Sequence, residues 1–259
     1  MSNVLFELRD GVARVTLNRP ASMNAVDGET EQELQLIWTA IEADHDVRVV
    51  VLTGAGERAF CAGSDMKNSG DKTGLEYWAA ARPGGFGGIA LRETLDVPVL
   101  ARVNGLALGG GFEMVLGCDI VVASDDASFG LPEARVGRLP LDGGMTLLQR
   151  QIAFRPAMGI LLTGRRVSAR EALALGIVNE VVSRSELDST VDRWVQEILA
   201  CAPLSVRAIK QVVRRAAHLS AREAQSQRLP ALIEALESED SREGVQAFRE
   251  KRAPVWKGR

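Results

Sequence analysis

Histidine is almost absent from this chain. Two occur in 259 residues, His45 and His218. His45 lies in the polar run Asp44-His45-Asp46, and His218 lies far along the C-terminal segment. Neither neighbours a nucleophile in sequence, and no G-x-S-x-G elbow exists, so a Ser-His-Asp hydrolase is disfavoured. Cysteine is scarce as well. Cys61, Cys118 and Cys201 are an odd number at wide spacing, which reads as reduced thiols filling small apolar spaces in a cytosolic protein. No clustered Cys and His suggest a zinc site. No apolar run of roughly eighteen residues is present, so no membrane span is expected. The opening Met1–Glu7 lacks a charged stretch followed by an apolar one, and the expected location is therefore the cytoplasm. An excess of one charge is missing too. The formal net charge is -3, whereas a nucleic-acid binder shows a basic excess or block, and the basic stretch Phe248-Arg249-Glu250-Lys251-Arg252 is too short to supply one. A G-x-x-x-x-G-K-[ST] phosphate loop is absent. Gly109-Gly110-Gly111 approaches the dinucleotide fingerprint, but Met114 holds the position of its last glycine, which disfavours ATP and nicotinamide chemistry.

What is present is an ordinary globular composition, 46% hydrophobic and 25% charged, over a length that permits one large domain with or without a small appendage. Val4–Arg9 and Val12–Leu17 read as a hairpin turning at Asp10-Gly11. Leu34, Ile37, Trp38 and Ile41 share one face of a helix. Val47–Leu52, Val97–Val103 and the shorter Ile120–Ala123 are apolar runs of the kind buried on both faces of a sheet. Strand, helix and strand at this spacing imply crossovers, a mostly parallel sheet and an α/β fold. Residues 64–90 are rich in Gly, Lys and Asp and read as a long loop with room for one short helix. From about residue 186 the pattern is helical. Val191, Trp194, Val195, Ile198 and Leu199 form a stripe, Pro203 suits a helix start, and Ser168–Glu171 and Ser220–Glu223 fit a capping box. The expected division is a core at 1–185 and a helical region at 186–259 whose unpaired faces meet another subunit.

Two segments carry a mechanism. Phe60–Met66 follows a buried strand, and Val103–Glu113 ends in a glycine run that opens a helix. Glycine at such points lets a ligand touch the backbone. A helix start leaves N–H groups unpaired at the positive end of a dipole, and two such groups aimed at one point make an oxyanion hole. A tight turn packed in the core would look the same. Glu113 falls one turn into that helix among Phe112, Met114, Val115 and Leu116, and Glu133 lies in the irregular stretch Phe129–Arg135. Either is equally readable as a surface glutamate, with Arg135 pairing Glu133. If both face one cavity, burial raises their proton affinity and suits them to acid–base work.

These residues also carry a resemblance. Asn18-Arg19-Pro20, Phe60–Asp65, Asn104-Gly105 through Glu113, Pro132-Glu133 through Gly143-Gly144, Leu162–Arg165, Ala172–Asn179 and Ala247–Arg252 together resemble the enoyl-CoA hydratase/isomerase (crotonase) superfamily over nearly the whole chain. Arg82–Gly88, Phe129–Ala134 and Lys251–Arg259 look most like its carnitinyl-CoA dehydratase subgroup. The resemblance implies a crotonase-like spiral of ββα repeats with a C-terminal helical trimerisation region, and a homo-oligomer, either a trimer or a dimer of trimers. It implies reversible syn hydration of a 2,3-enoyl-CoA thioester, a hydro-lyase reaction with no cofactor, coenzyme A being part of the substrate. Its pattern puts the oxyanion N–H groups on Ser64 and Gly110 and the catalytic carboxylates on Glu113 and Glu133. Ser22, Met23, Cys61, Ala62, Met66 and Lys67 fall where the family binds CoA, and Phe248 and Lys251 where it reaches a neighbouring subunit's CoA. Ala21 stands where the family often has lysine, and Leu141 where hydratases often have glycine, which bears on how Glu133 is held. Two other readings compete: a double-bond isomerase, which needs one carboxylate, and a non-catalytic or RNA-binding hydratase-like protein, which the net charge and both glutamates oppose. For a trimethylammonium acyl group, Glu76, Tyr77, Trp78 and Phe86 are candidate contacts.

Overall fold

The computed structural model describes residues 2–66 and 73–259. Lys67, expected at the CoA site, lies outside the described residues. The chain opens as the hairpin β1 (Val4–Arg9) and β2 (Val12–Leu17), continues through α1 (Gly28–Ala43), β3 (Val49–Gly54), β4 (Ala59–Cys61) and α2 (Gly74–Ala79), and then enters β5 (Val99–Val103), β6 (Leu106–Leu108), α3 (Gly110–Leu116), β7 (Ile120–Ser124) and β8 (Ser128–Gly130). It proceeds through α4 (Gly144–Gln151), α5 (Phe154–Thr163), β9 (Arg166–Ser168), α6 (Ala169–Ala174) and β10 (Glu180–Val182) to the helices α7 (Leu187–Leu199), α8 (Pro203–Arg215), α9 (Ala221–Ser226), α10 (Pro230–Glu237) and α11 (Glu239–Glu250).

Two sheets form. The larger has the order β1-β2-β3-β5-β7-β10, parallel except for the β1–β2 hairpin. Its central strands are apolar throughout because each face meets a separate layer. Val50 and Leu52 of β3, Val99, Ala101 and Val103 of β5, and Val121 and Ala123 of β7 enter the main core with Leu34, Trp38 and Ile41 of α1. Val49, Val51, Leu100 and Val122 point the other way, against Leu187, Val191 and Val195 of α7. The two-residue period of a strand thus assigns alternate side chains to two layers. The first helix beyond residue 186 closes the outer face of this sheet.

The smaller sheet was not anticipated. β4, β6 and β8 run parallel and β9 pairs antiparallel with β8. Each of these strands is three residues long, too short for any period to register. The helices α4 and α5 were also unanticipated, whereas the helix start expected at Ser168 opens α6. Ser168 does accept from the Glu171 N–H at 3.2 Å, but the Glu171 carboxylate turns to Arg165 at 2.5 Å, so the box is not completed. At Ser220 it is completed.

Polar atoms stitch the layers together. Buried Asn24 donates to the carbonyls of Ala55 and Ala59, and buried Asn104 to those of Gly56 and Ala59. They fix the turn that carries β3 into β4. α8 docks through three cations on one face. Arg207 donates to Val47 O, Lys210 to Val97 O and Asp119, and Arg214 to Gly117 O and Asp119. The C-terminal stretch folds back on α11, where the buried Asp240 accepts the N–H groups of Lys257 and Gly258 at 2.7 and 2.9 Å.

Candidate active site

The smaller sheet positions the site. β4, β6 and β8 are parallel, so all three deliver the chain to the same edge. β4 leads to 62–66, β6 to the glycines and α3, and β8 to a 3-10 turn at Pro132–Val136. Those three exits hold Ser64, Gly110 and Glu113, and Glu133. The register puts Leu108 beside Gly130, and Gly109 N–H donates to Gly130 O at 2.9 Å.

Glycines make this convergence possible. Gly63 has φ +92°, and a Cβ there would lie 3.2 Å from Gly110 N. The two segments expected to supply the oxyanion N–H groups therefore touch backbone to backbone. Val26 and Ser64 form a parallel bridge in which Val26 donates to Gly63 O and accepts from Asp65 N, both at 2.9 Å. The bridge uses the groups flanking Ser64, so the N–H of Ser64 itself points to the opposite side. Gly110 is the first residue of α3, and its N–H has no acceptor within the helix. Behind it packs the ring of Phe86, 2.5 Å from where a Gly110 Cβ would stand.

Glu113 is 3% exposed. Its Oε1 accepts from Asp142 N and Gly144 N, both at 2.9 Å. Gly143, with φ +125°, turns the chain between them so that two alternate amides converge on one oxygen. Burial pushes the Glu113 carboxyl up to about 8, the negative charges of Asp142 and Glu133 push in the same direction, and the two amides oppose them. The sequence reading gave the Leu141 region to Glu133; the bonded amides there are those of 142 and 144, and they hold Glu113. The only sequence mark at this turn is the pair Gly143-Gly144.

Glu133 is half-buried, and burial raises its proton affinity, a backbone hydrogen bond offsetting part of the rise. Its Oε1 lies against Gly109, 2.8 Å from where a Cβ would stand. Its Oε2 is buried without a hydrogen-bond partner among the described residues. Arg135 does not pair with it; its Nε donates to Thr163 O at 2.7 Å. Two carboxylates that influence each other's ionisation, one held by amides and one bare, thus sit beside two outward backbone N–H groups. Such a set can move protons next to a developing oxyanion.

The remaining expected residues divide. Ala62 N–H donates to Met23 O at 3.0 Å, so the two stretches expected to line CoA lie side by side. Ser22 and Met66 are exposed. The side chain of Cys61 is buried, its thiol pushed up to about 12 by burial, which leaves only its backbone to a ligand. Arg19 pairs with Asp27 at 2.8 Å and Asp65 at 2.9 Å, bracing the stretch beside Ser64. Phe248 and Lys251 lie on α11 and at its end, with Phe248 86% exposed, outside the group around Glu113. Glu76 closes the cap of α2 through Thr73, at 2.8 Å from its N–H. Tyr77 has Arg82 over its ring at 3.5 Å and donates its hydroxyl to Asp142 at 2.5 Å. Asp142, Arg82 and the half-buried Glu31 were not among the expected site residues; Arg82 and Asp142 fall inside stretches that carry the family resemblance, but no role was expected of either.

Residues 7–259 match the model of the family described as Enoyl-CoA hydratase/isomerase. Among curated proteins, the carnitinyl-CoA dehydratase of Salmonella typhi is 41% identical over 100% of both chains, and that of Proteus mirabilis is 40% identical over 97% of both. Among solved structures, the enoyl-CoA hydratase of Bacillus anthracis superposes with a TM-score of 0.90 at 33% identity, covering 99% of this chain and 100% of its own. Sequence, fold and neighbours agree: the chain belongs to the enoyl-CoA hydratase/isomerase family.

Proposed function

We propose that the protein is a hydro-lyase that adds water reversibly, in syn fashion, across a 2,3-enoyl-CoA thioester. The asymmetry of the two glutamates carries this reading. Two amides hold Glu113 in place and offset part of the rise that burial gives its carboxyl, whereas Glu133 presents a bare, buried oxygen free to exchange a proton with the substrate. In hydration the thioester oxygen sits between the N–H groups of Ser64 and Gly110. Glu113 takes a proton from water as the oxygen attacks C3. Charge moves to the thioester oxygen, and Glu133 delivers a proton to C2. Dehydration reverses each step. No group beyond these side chains and amides is required, coenzyme A arriving as part of the substrate.

One reaction needs one ionised and one protonated carboxyl, so the working form of the pair carries a single negative charge. With Glu113 pushed up to about 8, hydration kcat/KM is expected to fall as pH rises beyond about 8, where both groups become ionised. A pH–rate profile still climbing at pH 10 would reject the shared-charge scheme.

The acyl group is proposed from the relatives named carnitinyl-CoA dehydratase. Among the described residues, the carboxylates of Glu31 and Asp142 outnumber the cation of Arg82 beside them, which favours a positively charged substituent. Tyr77 is not an open aromatic face for it, because Arg82 already covers that ring. The deciding experiment is a panel of crotonobetainyl-CoA and straight-chain enoyl-CoA thioesters, followed by loss of enoyl absorbance and by mass spectrometry of the hydroxyacyl product. Hydration of at least one thioester at C3 is expected; a shifted alkene without added water would indicate an isomerase instead. We further propose that 1–185 is the ββα spiral core and that 186–259 mediates assembly as a trimer or dimer of trimers. Exposed Ile209, Val213, Ile233, Leu236 and Phe248 would be covered by other subunits, with Phe248 and Lys251 meeting a neighbour's CoA. Ser22, Met23, Cys61, Ala62, Met66 and Lys67 would line the CoA bound by their own chain. No helix among the described residues is long and apolar enough to cross a membrane, and the cytoplasm is the proposed compartment.

A further inference from the structure

Asp142 has two faces. Its backbone N–H holds Glu113, and its carboxylate is turned away into a polar cluster. Arg82 donates to Asp142 Oδ1 and Oδ2 at 2.9 and 2.6 Å, and Tyr77 donates to Oδ2 at 2.5 Å. Arg82 itself lies on the Tyr77 ring, 3.5 Å from its centroid. The carboxylate of Asp142 is therefore fixed from two sides, by Tyr77 within α2 and by Arg82 in the segment leaving it. The same segment reaches the other half of the site. Gly85 packs on the Asp142 carbonyl, 3.2 Å from where its Cβ would stand, Gly87 on Met114 of α3, and Phe86 on Gly110.

We propose that Arg82 and Tyr77 are positioning residues for Glu113, acting through Asp142. They lock the rotation of Asp142 so that its amide stays on Glu113 Oε1, and Arg82 neutralises a carboxylate that would otherwise face the reacting pair. The inference rests on the reading of Glu113 as the general base. The charged groups bearing on Glu113 are Asp142 from the loop before α4 and Glu133 from the 3-10 turn; Glu31 of α1 and Arg82 act on Asp142 in turn. Arg82 is the one cation of that group among the described residues, which is why its removal has a directional consequence.

The test compares Arg82→Gln, Tyr77→Phe and the double variant Arg82→Gln/Asp142→Asn. With Arg82 gone, the bare charge of Asp142 makes Glu113 hold its proton longer, and the alkaline limb of kcat/KM should move up by about one pH unit. The accompanying loss is expected in kcat, about tenfold, with KM for the thioester little changed. Tyr77→Phe should move the limb in the same direction and less far. The double variant keeps the amide of residue 142 and removes both charges, and its limb should return to the parent value or below. A second readout needs no turnover: the pH dependence of urea stability, taken as the difference between each background with and without Glu113→Gln, reports the titration of Glu113 directly. Variants that lose activity or stability while both readouts keep the parent pH would overturn the proposal and reduce Arg82 and Tyr77 to braces of the fold. A shift in the stability readout for a parent that hydrates no thioester would leave the positioning intact and reject the hydratase reading instead.

Discussion

Replacing Glu113 by glutamine is expected to lower hydration kcat by on the order of 10^3-fold, about 4 kcal/mol of transition-state stabilisation, while leaving binding of a saturated acyl-CoA unchanged. Glutamine keeps an oxygen for the amides of Asp142 and Gly144, which bond Glu113 Oε1. It keeps the volume as well. What it loses is the ability to accept a proton from water. The variant therefore separates chemistry from architecture, and steady-state kinetics with a calorimetric binding titration would read both. Turnover within a few-fold of the parent would remove Glu113 from the role of base.

The same substitution has a stability signature of opposite sign. Burial holds the Glu113 carboxyl at about 8 in the folded protein against 4.5 as its ordinary value. Between those two values the folded chain binds more protons at this group than the unfolded chain, so stability falls as pH rises across that window and levels off above it. Glutamine does not ionise. The inactive variant should thus match the parent near pH 4.5 and exceed it at pH 8 in urea denaturation. A buried carboxylate kept at a cost to the fold is a common mark of function.

Much of this site was legible from residue types, and the rest was hidden for identifiable reasons. The hairpin announced itself by its Asp10-Gly11 turn, the core strands by continuous apolar runs and the α1 stripe by its 3.6-residue period, and each of these signals needs several residues to be seen. The buried strands at Val49–Gly54 and Val99–Val103 begin two residues later than the apolar runs that predict them, since Val47 and Val97 are buried without being in the ladder. The strands β4, β6 and β8 show nothing in three residues each, yet they bring 64, 110 and 133 together. Glu113 and Glu133 were visible as carboxylates in unusual company. The Asp142 cluster was not, because its members come from two segments far apart in the chain, 77–82 and 142, and no residue pattern pairs them. Only the folded chain reveals that a backbone amide and a side-chain carboxylate of one residue serve two neighbours.

Gly109 offers the sharpest test of how closely the site is built. Its backbone has φ +56° and ψ -129°, a conformation that side chains avoid, and a Cβ there would stand 2.8 Å from Glu133 Oε1. Gly109→Ala therefore strains the chain by roughly 1–3 kcal/mol and pushes the Glu133 carboxylate off its place, while also tilting the neighbouring Gly110 N–H. Hydration is expected to fall by on the order of 10^2- to 10^3-fold, comparable to the loss expected for Glu133→Gln. The two causes are separable by a double-mutant cycle with Glu133→Ala. If displacement of Glu133 dominates, Gly109→Ala costs little further activity once residue 133 is alanine, because nothing remains to be displaced. If disturbance of Gly110 dominates, the losses multiply. Strong non-additivity is expected, since the contact at 2.8 Å falls on a carboxylate oxygen of Glu133, whereas Gly110 is braced from behind by Phe86. Fully multiplicative losses would shift the weight of Gly109 to the oxyanion side of the site.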